Sequence, residues 1–226
     1  MNYFRQLFRR IVQPFLWLGY RWYLSKPRWY SHAGLRIRIL PSVFHPGLLI
    51  STKVLLKFVL QQDLKNKRVL ELGAGSGMIA LASVRAGAIV TATDINPKAI
   101  ASMKESSQKN GLPLTLIESD LFQNIPLQAF DFIFINPPYY PKQPNNHQEY
   151  AFFCGADFEY FRQLFSQLPS FLEEGTVVYL ILNDDCAIET IRHLALEKSI
   201  AMPLLFQTKK IGEVQYIFGL EIRSQS

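Results

Sequence analysis

Val69-Leu-Glu-Leu-Gly73-Ala-Gly75-Ser-Gly77 is an apolar run broken by a single acid, followed by a glycine-rich turn and then by the helical pattern Met78-Ile-Ala-Leu-Ala-Ser-Val-Arg85. A buried strand running through a tight turn into a helix is the expected reading. Glycines reach positive φ without strain and let a ligand approach the backbone. A dinucleotide fingerprint wants its third glycine at 78, where this chain has Met, so the spacing G-x-G-x-G builds no pyrophosphate cradle at the helix N-terminus. It suits a phosphate-free ligand lying flat across the turn. A turn without a ligand needs one glycine rather than three.

Outward from this turn the pattern repeats. Strands are expected over 68–72, 88–93, 114–118, 130–135 and 176–182, and helices over 77–86, 98–110, 157–171 and 186–198. Short apolar strands alternating with amphipathic helices imply a parallel sheet covered on both faces. The C-terminal end differs. Two strand-like runs, 201–208 and 214–222, are separated only by Lys209–Glu213, which is too short for a crossover and so implies an antiparallel hairpin. Upstream, Leu35–Leu40 alternates apolar and basic residues as a half-buried strand does, Pro41 ends it, and Leu48–Gln62 has helical periodicity. Asp184-Asp185 reads as the N-cap of the last helix, and Cys154 as a small buried hydrophobe.

The chain has 226 residues, 49% hydrophobic and only 19% charged, which excludes a disordered polymer and fits one sizeable core with an appendage. Two cysteines outside any metal-ligand spacing imply neither a disulfide framework nor a metal centre, and hence a reducing, cytoplasmic setting. The net charge of +6 is unevenly placed: residues 1–62 carry ten basic side chains and no acid, leaving 14 bases against 18 acids in the remainder. Ten aromatics, including all three tryptophans, fall within the first 30 residues. Phe4, Phe8, Ile11, Phe15, Leu18 and Trp22 are spaced for one face of a helix that Pro14 should kink. The apolar run Ile11–Tyr20 is too short to span a bilayer, and no cleavage pattern follows it, so no stable membrane insertion is expected. The expected division is a basic, aromatic extension over residues 1–43 and a catalytic domain over 44–226.

In open α/β sheets ligands sit at the C-terminal strand ends. The second strand ends Thr93-Asp94-Ile95-Asn96-Pro97, which places an acid where ribose hydroxyls need an acceptor, while Asn96 before Pro97 serves as the helix cap. The third ends Ser119-Asp120-Leu121, where Asp120 can accept from an adenine amine. The fourth ends Asn136-Pro137-Pro138-Tyr139. Prolines there remove donors and leave carbonyls available. The Asn136 side-chain carbonyl, the Pro137 carbonyl and the flat Tyr139 ring then match a planar NH₂ group, whose two N–H bonds need two acceptors. The polar segment Pro141–Gln148 just beyond is a candidate substrate lid or an ordinary exposed loop. The histidines are scattered, and His45 reads as a loop residue.

Taken together, Val69–Gly77, Thr93–Pro97 and Asn136–Tyr139 resemble the class I S-adenosylmethionine-dependent methyltransferases carrying an N-P-P-Y motif, and within them the HemK/PrmC family, over about residues 44–222. The resemblance implies a Rossmann-like, mostly parallel seven-stranded sheet with an antiparallel C-terminal hairpin, and S-adenosyl-L-methionine as cofactor with no metal. It places Glu71, Gly73, Gly75 and Gly77 around the methionine part, Asp94 with Ile95 at the ribose, and Asp120 and Leu121 at the adenine. Asn136 borders the cofactor, and with Pro137 and Tyr139 forms the site for the acceptor nitrogen. The implied acceptor is macromolecular: the glutamine amide of a release-factor G-G-Q loop or, as in relatives with the same domain, an exocyclic amine of adenine or guanine in rRNA or tRNA. Phe44-His-Pro-Gly with Ser51-Thr52 stands where the family has a substrate-side segment, though this chain lacks the acid that precedes its Thr. A nicotinamide oxidoreductase is disfavoured by Met78 and by N-P-P-Y; a non-catalytic RNA-binding module is disfavoured by intact motifs at four strand ends.

Overall fold

The computed structural model describes residues 25–47, 50–146, 149–210 and 212–223. The expected N-terminal amphipathic helix, with its kink at Pro14, lies outside the described residues. In chain order the elements are β1 (Arg28–His32), β2 (Leu35–Ile39), α1 (Ile50–Val59), β3 (Arg68–Leu72), α2 (Met78–Arg85), β4 (Ile89–Asp94), α3 (Pro97–Asn110) and β5 (Thr115–Glu118). They continue with β6 (Phe132–Ile135), α4 (Glu159–Gln167), β7 (Val177–Asn183), α5 (Ile188–Leu196), β8 (Ile200–Ala201), β9 (Leu204–Lys210), β10 (Glu213–Gly219) and β11 (Glu221–Ile222).

The main sheet has seven strands in the order β5-β4-β3-β6-β7-β10-β9. Neighbours from β5 to β7 are parallel, whereas β10 runs antiparallel to both β7 and β9. This is the Rossmann-like α/β sheet with a C-terminal antiparallel hairpin. The period-two geometry of the strands divides the core into two layers. Val69, Val90, Phe134 and Ile181 face α1, α2 and β2, while Leu70, Leu72, Ile133, Ile135 and Leu182 face α4 and α5.

The strand β1 was not legible in the sequence. In Arg28-Trp-Tyr-Ser-His only Tyr30 packs against the core, so no apolar alternation announces a strand. It pairs antiparallel with β2, whose Leu35, Ile37 and Ile39 are fully buried. The outer edge of β2 is closed by α3. Ser106 Oγ accepts from the Arg38 amide at 2.8 Å, Ser102 Oγ donates to the Arg38 carbonyl, and Asn110 bonds both the Arg36 amide (2.9 Å) and its carbonyl (2.7 Å). Four-residue spacing puts Ser102, Ser106 and Asn110 on one helix face, which explains why a mostly polar helix carries buried serines.

Two local expectations are corrected. The helix expected over 157–171 is α only to Gln167 and tightens to 3₁₀ over Leu168–Phe171, where Pro169 removes a donor. Asp184 does not cap α5, which starts at Ile188 after Ala187; its Oδ1 accepts the Val214 amide at 3.1 Å and so ties β7 to the hairpin.

Candidate active site

The neighbours of β3 are β4 on one side and β6 on the other, so successive crossovers leave β3 in opposite directions. A crevice forms at such a switch point, outside the C-terminal strand ends. Here it is an open cleft lined from β3 by Glu71, Gly73, Ala74, Gly75 and Ser76, from β4 by Asp94, Ile95 and Asn96, from β5 by Ser119, Asp120 and Leu121 and from β6 by Asn136, Pro137, Pro138 and Tyr139. The four motifs singled out in the sequence therefore meet in one cavity.

The glycine turn serves two purposes. A Cβ on Gly73, where φ is +68°, would meet no atom within 4 Å, because that side of the backbone opens on the cavity. A Cβ on Gly77 would lie 2.6 Å from Met103 Cγ. Gly77, expected beside a ligand, is not among the lining residues; it begins α2 in the left-handed conformation and lets α3 approach. Asp94 holds the turn in place, its Oδ2 accepting from the Gly75 amide at 2.7 Å and its Oδ1 from Asn96 at 2.8 Å. Asn96 caps α3 through the Lys98 amide and donates to the Ser42 carbonyl, which draws the segment after β2 over the cavity.

Three acidic side chains, Glu71, Asp94 and Asp120, line this half of the cleft. Glu71 is almost wholly buried and accepts from the Ala80 amide at 2.6 Å; desolvation, with Asp94 adding like charge, pushes its pKa up to about 8. Burial also raises the pKa of Asp120. Leu121 is held at φ +49°, a strained backbone at the site, by a turn in which Ser119 Oγ donates to the Leu121 carbonyl.

The other half is built on β6. Asn136 Nδ2 donates to Thr52 Oγ1 at 3.2 Å from α1. This orients the amide. Among the described residues no donor reaches the Asn136 side-chain oxygen or the Pro137 carbonyl. Tyr139 OH accepts from Asn183 Nδ2 (3.3 Å) at the end of β7, and burial keeps its phenol protonated well above the usual range. Of the segment 141–148, read as a substrate lid or an ordinary exposed loop, the described residues 141–146 are a mostly exposed loop, and none of them lines the cleft. Tyr150, Ala151 and Phe152 do, because the Phe152 carbonyl accepts from the amides of Tyr139 (3.2 Å) and Tyr140 (3.0 Å). Phe44 meets Phe152 at a centroid distance of 6.1 Å. His45 is buried against Tyr30 outside the cleft.

Sequence reasoning missed Tyr160, Tyr150, Phe152 and Asn183. Tyr160 comes from the first turn of α4, and Asp94 and Asp120 both act on its phenol electrostatically. Nothing in its local pattern distinguishes it from a core aromatic. Thr52 lies in a stretch the sequence had marked, but its bond to Asn136 spans 84 positions.

The sequence profile of the methyltransferase small domain matches residues 34–200. The chain belongs to that family. Over 154 residues it is 35% identical to a protein named as an N5-glutamine methyltransferase of Methanocaldococcus jannaschii, an alignment covering 66% of this chain and 76% of the relative. It is 32% identical over 155 residues to the release factor glutamine methyltransferase of Geobacter sulfurreducens, covering 63% of this chain but only 54% of that one. Among solved structures, the 16S rRNA N2 methyltransferase of T. thermophilus, in complex with AdoMet and guanosine, superposes with a TM-score of 0.63 at 23% identity, covering 88% of this chain and 50% of that one. The chain is thus an S-adenosylmethionine-dependent methyltransferase of class I. Its cleft fits that cofactor chemically: a cationic, donor-rich and phosphate-free molecule meets the acids Glu71, Asp94 and Asp120, and the open side of Gly73 leaves room against the backbone. Among the described residues no group of His, Cys, Asp or Glu could hold a metal ion. None of their helices is long and apolar enough to cross a membrane.

Proposed function

We propose that this methyltransferase modifies a planar nitrogen, and that the acceptor is the side-chain amide of a protein glutamine. The observation that carries the reading is the state of Asn136: one N–H of its amide donates to Thr52 and, among the described residues, no donor reaches its side-chain oxygen, which leaves that oxygen available as an acceptor on a cleft-lining residue beside Pro137 and Tyr139. The names of the two sequence relatives support glutamine.

Glu71, Gly73 and Gly75 would hold the methionine part of the cofactor, Asp94 and Ile95 the ribose, and Asp120 and Leu121 the adenine. Gly77 acts on them through the turn. Bound S-adenosylmethionine supplies an electrophilic sulfonium methyl group. The protein prepares the nitrogen. An amide nitrogen shares its lone pair with the carbonyl and is a poor nucleophile. Asn136 Oδ1 and the Pro137 carbonyl, each accepting one N–H bond, favour pyramidal nitrogen and stabilise positive charge developing there more than they stabilise the ground state. Tyr139, its ring fixed by Asn183, stacks on the amide plane. Holding the nitrogen in line accounts for up to roughly 7–11 kcal/mol in favourable cases. The methylated nitrogen is acidic enough to lose its proton to water, consistent with a cleft whose lining includes no histidine.

The second reading, an exocyclic amine of adenine or guanine in rRNA or tRNA, presents the same NH₂ geometry and is supported by the rRNA enzyme with which the fold superposes. Purified release factor, its Gln→Ala loop variant and deproteinised rRNA and tRNA, each incubated with methyl-labelled cofactor, separate the two. Label confined to unmodified release factor supports glutamine; label in RNA alone selects the second reading.

A further inference from the structure

The hairpin β1–β2 presents two different faces. Tyr30, Leu35, Ile37 and Ile39 point into the core, and the opposite face carries Trp29, Ser31, Arg36 and Arg38. Trp29 is 39% exposed, and two guanidiniums lie over its ring, Arg38 at 5.2 Å and Arg36 at 5.8 Å from the centroid. The Arg38 guanidinium is partly neutralised by Glu105 at 3.1 Å, whereas Arg36 makes no ion pair among the described residues. A third guanidinium, Arg85, is anchored to the carbonyl of Ala33 in the hairpin turn.

We propose that this outer face binds single-stranded RNA, with Trp29 stacking on an unpaired base and Arg36, Arg38 and Arg85 following the phosphates. The proposal does not rest on the glutamine reading. A flat aromatic ring bordered by guanidiniums is what sequence-tolerant single-strand recognition uses. The surface is rigid, because β2 is fixed to α3 through Ser102, Ser106 and Asn110. Charge complementarity is local: residues 1–62 contain no acid, while the cleft beyond displays Glu71, Asp94 and Asp120. A lipid surface is the poorer occupant, since a membrane-seated face needs several apolar side chains and, among the described residues, this one offers only Trp29. The platform is also close to the chemistry. Ile39 ends β2 and Ser42 lines the cleft, a separation of three residues or about 10 Å at most.

The test uses the full chain and a fluorescein-labelled oligouridylate of about 20 nucleotides, with anisotropy followed against salt concentration. Trp29→Ala should weaken binding by roughly 5- to 100-fold. Arg36→Ala should lower the slope of log affinity against log salt by about 0.7, the contribution of one phosphate contact on a single strand. Lys209→Ala with Lys210→Ala, on the edge strand β9 of the main sheet, to which the hairpin does not belong, should leave affinity and slope within twofold of wild type. Both hairpin substitutions are on the surface, and unchanged cofactor affinity by calorimetry verifies the fold. The proposal is overturned if the intact chain does not bind the oligonucleotide, if both hairpin variants bind it like wild type, or if Trp29 is needed for vesicles of anionic phospholipid and not for RNA.

Discussion

Glu71 and Asp94 are neighbouring acids with different duties. Asp94 already accepts two backbone amides, so Asp94→Ala should weaken S-adenosylmethionine binding by about 1–3 kcal/mol and also loosen the glycine turn. Calorimetry showing unchanged affinity removes Asp94 from the site. Glu71 is mostly protonated at neutral pH. A cationic ligand favours its carboxylate form, so binding at pH 7 should release a proton and affinity should rise with pH until about 8, then level off. Stability runs the other way. Because the folded pKa of about 8 lies above the ordinary value of 4.5, Glu71 favours folding fully below pH 4.5, and that contribution is lost progressively as pH rises to about 8. Glu71→Gln should flatten both profiles; a wild-type affinity independent of pH between 6 and 9 contradicts the assignment. Asn136→Ala removes an acceptor used mainly in the transition state. It should leave cofactor affinity nearly intact and lower turnover about a hundredfold, on the order of 3 kcal/mol. An equal fall in cofactor affinity means Asn136 holds the cofactor rather than the acceptor.

At the level of elements, the glycine turn is where packing and site meet. Gly77→Ala combines a left-handed φ of +74° with a contact 2.6 Å from Met103 Cγ, so it should cost about 1–3 kcal/mol of stability. Adding Met103→Ala removes the clash but not the backbone strain. Denaturant unfolding should therefore show that the double variant loses less than the sum of the two single ones; strict additivity contradicts the contact. The alternation of strands and helices was legible because buried parallel strands read as continuous apolar runs, and the boundaries of β3 coincide with the expected 68–72. The site was legible where one strand end carries all its chemistry, as at Asp94 or Asn136. It was not legible where chemistry depends on contacts between distant elements, such as Thr52 with Asn136 or Asn183 with Tyr139. The composition of Pro141–Gln148 fits a lid and an exposed loop alike, whereas the residues beyond it that line the cleft, Tyr150, Ala151 and Phe152, are held by the Phe152 carbonyl, which no side-chain pattern reveals. The Asp184 cap failed because a tertiary hydrogen bond to Val214 outweighs the local preference, whereas β1 was hidden because its outward residues carry no apolar alternation.

At the scale of the molecule, the switch point at β3, between β4 and β6, brings four strand ends to one cleft, where the proposed function sets the acids of one side against a cationic cofactor and two carbonyls of the other side against an NH₂ group. The most direct test of that claim is where the methyl group goes. An extract from cells lacking this enzyme, incubated with methyl-labelled S-adenosylmethionine and either the wild-type protein or Asn136→Ala, is divided into protein and nucleic acid, and each fraction is digested to its monomers. The account predicts label on a side-chain amide nitrogen of glutamine, dependent on Asn136. Label on a carbon or oxygen atom, or equal labelling by Asn136→Ala, contradicts it.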